Sequence, residues 1–293
     1  MLSDDGDIKM LAAWPTYAKI LSSGGWLSRS ILEMTPFNSW RDFAEFESQV
    51  RTQRRYIRTE EGERFLDGIR STLPARISKF SKGRLFWRAQ IGHDWREIVE
   101  INDSIPAAFP PARMKPLADR AMEGRANPKG IPMLYLCTNK DAAMSEVRPW
   151  IGTLVSLGQF EIIRDLRLVD CTRVEVDRLD LLFESESSGR IDVVDAVWSE
   201  INRAFTKPVT RSDDLGEYVA TQILVEFFRS ENFDGIIYRS AFGERSQNLA
   251  LFELKDAELV SCQLYEATSV RMNFQDRDNP YWVRRSKEGP HRR

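Results

Sequence analysis

The chain has 293 residues, 42% of them hydrophobic, enough to bury one large core or a domain with a helical appendage, which excludes disordered and fibrous classes. Lysine and arginine number 42 against 44 aspartate and glutamate, and the resulting formal charge of -2 argues against direct nucleic-acid binding, which needs a basic excess or a basic face. No apolar run approaches a membrane span, and Asp4, Asp5 and Asp7 break the basic-then-apolar order of a signal peptide, so a soluble cytoplasmic protein is expected.

Residues 1–83 read as a helical extension without repeats. Phe43, Phe46 and Val50 fall at helical spacing within Ser39–Tyr56, and Phe65, Leu66 and Ile69 mark a second amphipathic helix. Such helices can cap a larger domain or offer a surface to a second subunit. Ser81-Lys82-Gly83 breaks the pattern, and Arg84–Ile91 follows as an apolar, aromatic strand carrying Arg88. A buried arginine there requires a partner, since an unpaired charge costs several kcal/mol. A bound pyrophosphate and a structural carboxylate both qualify. Asn102–Pro116, with four prolines, predicts an extended loop with little regular structure.

The stretch Glu123–Arg148 concentrates chemistry. Its first half holds two prolines and two glycines, so Gly124–Gly130 is a loop; Met133–Cys137 suits a short buried strand; Thr138–Asp141 can cap a new helix that Pro149 bends or ends soon after Glu146. Arg125, Asn127, Tyr135 and Glu146 thus sit on a loop, a strand and a helix able to bring them to one cleft. A guanidinium offers a planar fork of donors to phosphate, an Asn amide donates and accepts, and a Tyr ring can lie against a flat heterocycle. A carboxylate beside them can stabilise positive charge on a sugar carbon as a glycosidic bond breaks. Together they suggest a nucleotide or dinucleotide site, although singly each has an ordinary structural reading.

Phe160–Val169 predicts one long strand or a pair, then helices follow over Ile191–Phe205 and Leu215–Phe228, the second with Ser212 as its N-cap. Phe233-Asp234-Gly235 turns into the strand Ile236–Ser240, and Gln247–Glu253 with Leu259–Leu264 complete the sheet. Ser240 reads either as a hydroxyl bonded into the sheet edge or as one touching a ligand. The segment 271–293 is a polar tail, basic from Arg284 onward and solvated. Short strands and helices without a repeated βαβ order indicate an α+β fold, and no G-x-G-x-x-G follows a strand as a Rossmann site requires. Cys137, Cys171 and Cys262 read as buried thiols of a reducing compartment. With only His93 and His291 in the chain, no His/Cys pair has zinc-ligand spacing, and no nucleophile elbow accompanies His93.

Five segments, in order, resemble the RES domain family. They are Phe86-Trp87-Arg88-Ala89, Gly124-Arg125-Ala126-Asn127, Leu134-Tyr135, Ala143-Met144-Ser145-Glu146, and Phe233–Ser240 closed by Asn248-Leu249-Ala250-Leu251-Phe252. The family is named for an Arg, a Glu and a Ser, which correspond to Arg88, Glu146 and Ser240. The resemblance covers roughly Arg84 to Val260, which makes 84–270 the catalytic domain. It implies a fold similar to ADP-ribosyltransferase toxins, with two small sheets around a cleft that binds NAD. It also implies a toxin that degrades NAD, paired with an Xre-type helix-turn-helix antitoxin, and needing no metal. On that footing Arg88 and Arg125 hold the pyrophosphate, Tyr135 packs beside the nicotinamide ring, and Asn127 and Ser240 fix ribose or carboxamide groups. Glu146 engages the nicotinamide ribose. Water, phosphate or a protein side chain remain open as acceptors, giving a hydrolase, a phosphorylase or an ADP-ribosyltransferase, and a non-catalytic nucleotide-binding module of the same fold is the other alternative.

Overall fold

The computed structural model describes residues 35–117, 120–177, 180, 191–207 and 215–276. Helix α1 (Asp42–Thr52) buries Phe43, Phe46 and Val50, and α2 (Glu60–Thr72) buries Phe65, Leu66 and Ile69, the faces set by their spacing. The Thr59 hydroxyl caps α2 by accepting from the Gly62 N–H at 3.1 Å, and Glu60, Glu61 and Glu63 occupy the first turn, where the helix dipole favours anions. The rings of Phe37, Phe43 and Phe46 gather on Phe65 at centroid distances of 5.7, 6.2 and 4.7 Å.

The strands and helices that follow are β1 (Ile77–Phe80), β2 (Leu85–Ile91), β3 (Asp94–Ile98), β4 (Asp103–Ala107), a short α3 (Pro111–Met114), β5 (Leu134–Cys137) and α4 (Lys140–Glu146). Then come β6 (Leu154–Ile162), β7 (Leu166–Asp170), α5 (Val193–Thr206), α6 (Val219–Ser230), β8 (Gly235–Arg239), β9 (Gln247–Leu251) and β10 (Ala257–Glu266). Eight strands run in the order β1-β7-β8-β9-β5-β2-β6-β10, and β3 and β4 form a separate hairpin. β7 and β8 are parallel, and the other neighbours are antiparallel.

That order is nearly severed at one joint. β2 pairs with β6 all along its length, from Leu85 to Ile91, but meets β5 only where Trp87 lies opposite Cys137. The eight strands therefore divide into a group of five, ending on β5, and a group of three, beginning on β2. Phe86, Phe160 and Ile162 of the smaller group share a core with Leu168, Ile237 and Leu249 of the larger, so the two groups pack on one another. The class is the expected α+β, built on one large mixed sheet whose two groups of strands are joined by a single residue pair, together with the small β3–β4 sheet. The other face of the larger group is covered by helices: Ile236 and Ala250 share a core with Trp198 and Ile201 of α5, Leu224 and Phe228 of α6, and the inward faces of α1 and α2. Trp198 is fully buried and donates from Nε1 to Thr72 Oγ1 at 3.0 Å, joining α5 to α2. All these elements fall in one unit, Pro36–Arg293.

One expectation changes. The proline-rich 102–116 is not an irregular loop, because β4 pairs with β3 and Pro111 opens α3. Pro106 opposes Trp95 in a two-stranded ribbon, where a missing N–H is tolerated since each strand is an edge. Of the two readings of Phe160–Val169, the strand pair holds, as the end of β6 and the start of β7. Ser212, the proposed cap, and the basic tail 284–293 lie outside the described residues. Among the described residues no helix is long and apolar enough to cross a membrane. The three cysteines are unpaired, Cys137 and Cys171 buried and Cys262 half-buried.

Candidate active site

The joint between β2 and β5 is where the predicted site residues meet. Arg88 stands just past the Trp87–Cys137 pair, and its side chain crosses the gap where the ladder lapses. Its Nε donates to the Met114 carbonyl at 3.0 Å and its Nη1 to the Tyr135 carbonyl at 3.2 Å. Neither partner is a carboxylate, and among the described residues no acidic side chain pairs with it. Burial depresses its pKa from the usual guanidinium value, which does not extend to discharging it. The guanidinium is thus fixed in orientation by neutral acceptors while its positive charge remains uncompensated.

The loop before β5 is locked from within. Asn127, 3% exposed, donates from Nδ2 to the carbonyls of Met122, Pro128 and Ile131 at 2.9, 3.1 and 2.9 Å. Its Oδ1 accepts from the Tyr135 hydroxyl at 2.7 Å, and that hydroxyl accepts from the Ala126 N–H at 3.1 Å. Glycine is required at 124, because a Cβ there would stand 2.8 Å from both Asn127 Oδ1 and the Tyr135 hydroxyl. From α6, Gln222 Nε2 donates to the carbonyls of Gly124 and Asn127 at 2.9 and 3.1 Å, and Thr221 Oγ1 donates to that of Arg125 at 2.6 Å. The Asn127 side chain is thus bonded within the loop and to Tyr135. The Tyr135 hydroxyl is likewise engaged, and burial pushes its pKa up to about 12, so it stays a donor. Tyr135 is one of the residues lining the cavity described below. Arg125 donates from Nη1 to the Ala204 carbonyl at 3.1 Å, with its guanidinium 5.9 Å from the Tyr218 ring.

Glu146 is the last residue of α4. Asn139 Oδ1 caps that helix by accepting from the N–H groups of Asp141 and Ala142 at 2.9 and 3.0 Å; Arg148, at φ 50°, and Pro149 stop it. Glu146 Oε1 accepts from Ser240 Oγ at 2.7 Å and from Asn248 Nδ2 at 2.6 Å. Ser240 Oγ itself accepts from the Phe242 N–H at 3.1 Å. Ser240 follows β8 directly and Asn248 lies on β9 opposite both Tyr238 and Cys137, so two neighbouring strands fix one carboxylate oxygen. Both bonds fall on Oε1. Asn248 went unassigned in the sequence, where it belonged only to a strand motif; a polar residue heading the apolar run Leu249–Phe252 was the available signal.

A cavity of about 280 Å³ is lined by Arg88, Arg125, Tyr135, Glu146, Tyr218 and Asn248, among others. Of the six predicted residues it brings together four. Ser240 joins through its bond to Glu146, and Asn127 through the bond it accepts from Tyr135. The cavity offers two guanidinium groups, an aromatic wall and an oriented carboxylate, a set able to bind a phosphorylated ligand and stabilise a developing cation. Among the described residues no three His, Cys, Asp or Glu side chains are placed to hold a metal ion.

The RES domain family matches residues 85–275, beginning at the first residue of β2 and covering every wall of this cavity. The chain belongs to the RES domain family. Helices α1 and α2 lie outside the matched RES domain yet share a core with α5 and α6 inside it. No curated protein matches the chain. Among solved structures, the crystal structure of the M. tuberculosis MbcT-MbcA toxin-antitoxin complex is similar at 13% identity with a TM-score of 0.35, covering 67% of this chain and 91% of that one.

Proposed function

We propose that this RES domain cleaves the bond between nicotinamide and ribose in NAD. The observation that carries the reading is the Glu146 carboxylate, held on one oxygen by Ser240 and Asn248 in a cavity that also presents Arg88 and Arg125. Arg88 and Arg125 hold the pyrophosphate through charge-assisted bonds, roughly twice as strong as neutral ones. Tyr135 supplies an aromatic face to the nicotinamide ring, whose positive charge favours such a neighbour. Glu146 Oε2 takes a hydroxyl of the nicotinamide ribose and stabilises the oxocarbenium-like transition state. The C1′–N bond breaks with its electron pair leaving on nicotinamide, which neutralises the pyridinium. Ser240 and Asn248 act through Glu146, while Asn127 acts through Tyr135 and the loop.

The acceptor is water or inorganic phosphate, so the reaction depletes NAD by hydrolysis or phosphorolysis. Depletion of a shared cofactor suits a toxin, and an Xre-type antitoxin that blocks the cavity is the partner this reading calls for. Incubation with NAD tests it: free nicotinamide should appear, accompanied by ADP-ribose, or by its 1″-phosphate when phosphate is added. Binding of NAD without nicotinamide release would overturn the reading, and mass added to a protein side chain would move the activity to ADP-ribosyl transfer.

A further inference from the structure

Tyr238 ends the apolar run Ile236-Ile237-Tyr238 of β8, a setting that suits its ring and leaves its hydroxyl in need of a partner. The residue is 6% exposed, and its ring packs on that of Phe205 in α5 with centroids 5.6 Å apart. One residue further on, the Arg239 N–H donates to Asn202 Oδ1 at 3.0 Å and the Arg239 carbonyl accepts from Thr206 Oγ1 at 3.0 Å. Asn202 and Thr206 also belong to α5, so that helix fixes both the Tyr238 ring and the backbone beside it.

The hydroxyl, by contrast, is bonded to no group among the described residues. Nor is it sealed in the core: the buried side-chain nitrogens and oxygens without a partner among the described residues are Arg76 Nε and His93 Nε2, and the Tyr238 hydroxyl is not with them. Tyr238 lines the cavity of about 280 Å³, and its unbonded hydroxyl therefore opens there. The register places it in the row that holds the carboxylate, since Tyr238 lies opposite Asn248, whose Nδ2 donates to Glu146 Oε1 at 2.6 Å. Burial pushes its pKa well above the ordinary tyrosine value, with Tyr135 and Glu146 acting in the same direction, so it stays protonated and able to donate.

In the cleavage proposed above the guanidinium groups meet the pyrophosphate and Glu146 meets the ribose, while the carboxamide of the nicotinamide has no partner. Ala143, Val147 and the buried Cys137 are also among the cavity walls, and an amide carbonyl left unmatched against such groups is costly. A donor that opens on the cavity and a ligand acceptor, each lacking a partner, satisfy one another. We propose that the Tyr238 hydroxyl donates to the carboxamide oxygen of the nicotinamide, which makes Tyr238 a specificity-determining residue for the pyridine end of the dinucleotide. This rests on the cleavage reading above.

Tyr238→Phe removes the hydroxyl and keeps the ring. Because the hydroxyl makes no bond in the fold, Tm without ligand should stay within about 2 °C of the parent. In Glu146→Gln protein, where turnover is suppressed, adding Tyr238→Phe should weaken NAD binding about three- to tenfold, the worth of one neutral hydrogen bond. ADP-ribose, which lacks the nicotinamide, should bind with and without the hydroxyl alike, and so should the thionicotinamide analogue of NAD, whose sulfur is a poor acceptor. A larger fall in Tm would show that the hydroxyl serves the fold and would overturn the proposal. Unchanged NAD affinity, or equal weakening of NAD and either control, would overturn it as well. The two readings fail separately: nicotinamide release by the parent with no effect of Tyr238→Phe on NAD affinity removes only this contact, and the affinity contrast without release removes only the cleavage.

Discussion

Replacing Asn127 by alanine separates a positioning role from a ligand contact. At a residue 3% exposed, the substitution removes the two Nδ2 hydrogens that three loop carbonyls share and the acceptor of the Tyr135 hydroxyl, about three hydrogen bonds in all. Met122 and Ile131 are exposed residues, so water can reach part of what is lost, but the Tyr135 hydroxyl is buried and loses its acceptor. With each bond contributing about 0.5–1.5 kcal/mol net, the loss should come to about 3 kcal/mol. At about 2–4 °C per kcal/mol for a domain of this size, Tm should fall by about 6–12 °C. Thermal denaturation followed by circular dichroism, without ligand, measures it. Asn127→Asp keeps the acceptor for Tyr135 but loses the donors and buries a charge, and should fall at least as far. A Tm within about 2 °C of the parent, combined with weakened NAD binding, would refute the structural role and return Asn127 to the ligand.

The other predictions concern the carboxylate, the loop and pH. Ser240→Ala and Asn248→Ala each remove one donor from Glu146 Oε1, a charge-assisted bond of about 1.5–3 kcal/mol, so kcat for nicotinamide release should fall about 10–100-fold while KM moves less. Rates within twofold of the parent would argue that Glu146 needs neither. Gly124→Ala puts a methyl 2.8 Å from two oxygens that are bonded to each other and should cost about 1–3 kcal/mol by denaturant titration, against no change if the loop can yield. Tyr135 is held neutral to about 12 in the fold but ionises near its ordinary value of about 10 when unfolded, so between those values the unfolded state binds fewer protons. Stability should therefore decline as pH rises through that window, and Tyr135→Phe should lessen the decline; identical pH profiles would exclude the coupling.

The sequence showed most where residue type and period agree. Phe43, Phe46, Val50, Phe65, Leu66 and Ile69 declared two helix faces because each face needs a single apolar stripe, and those stripes are buried. Arg88, Arg125, Tyr135 and Glu146 stood out because their types suit a dinucleotide, and they line one cavity. What stayed hidden depends on contacts between distant segments. The three loop carbonyls that converge on Asn127 come together only when the chain closes. Arg88 posed a choice between pyrophosphate and carboxylate, and the fold adds backbone carbonyls of Met114 and Tyr135, which orient the charge without cancelling it. Asn248 could not be assigned without the register that sets it beside Glu146, and the pairing of β4 with β3 was masked by prolines that an edge ribbon tolerates.

The most direct test is nicotinamide release from NAD by the parent chain and by Glu146→Gln, measured alongside NAD binding to both. Release by the parent, a loss of at least a thousandfold in the variant, and similar binding by the two would place the reaction on that carboxylate. Equal release by both proteins would contradict the account.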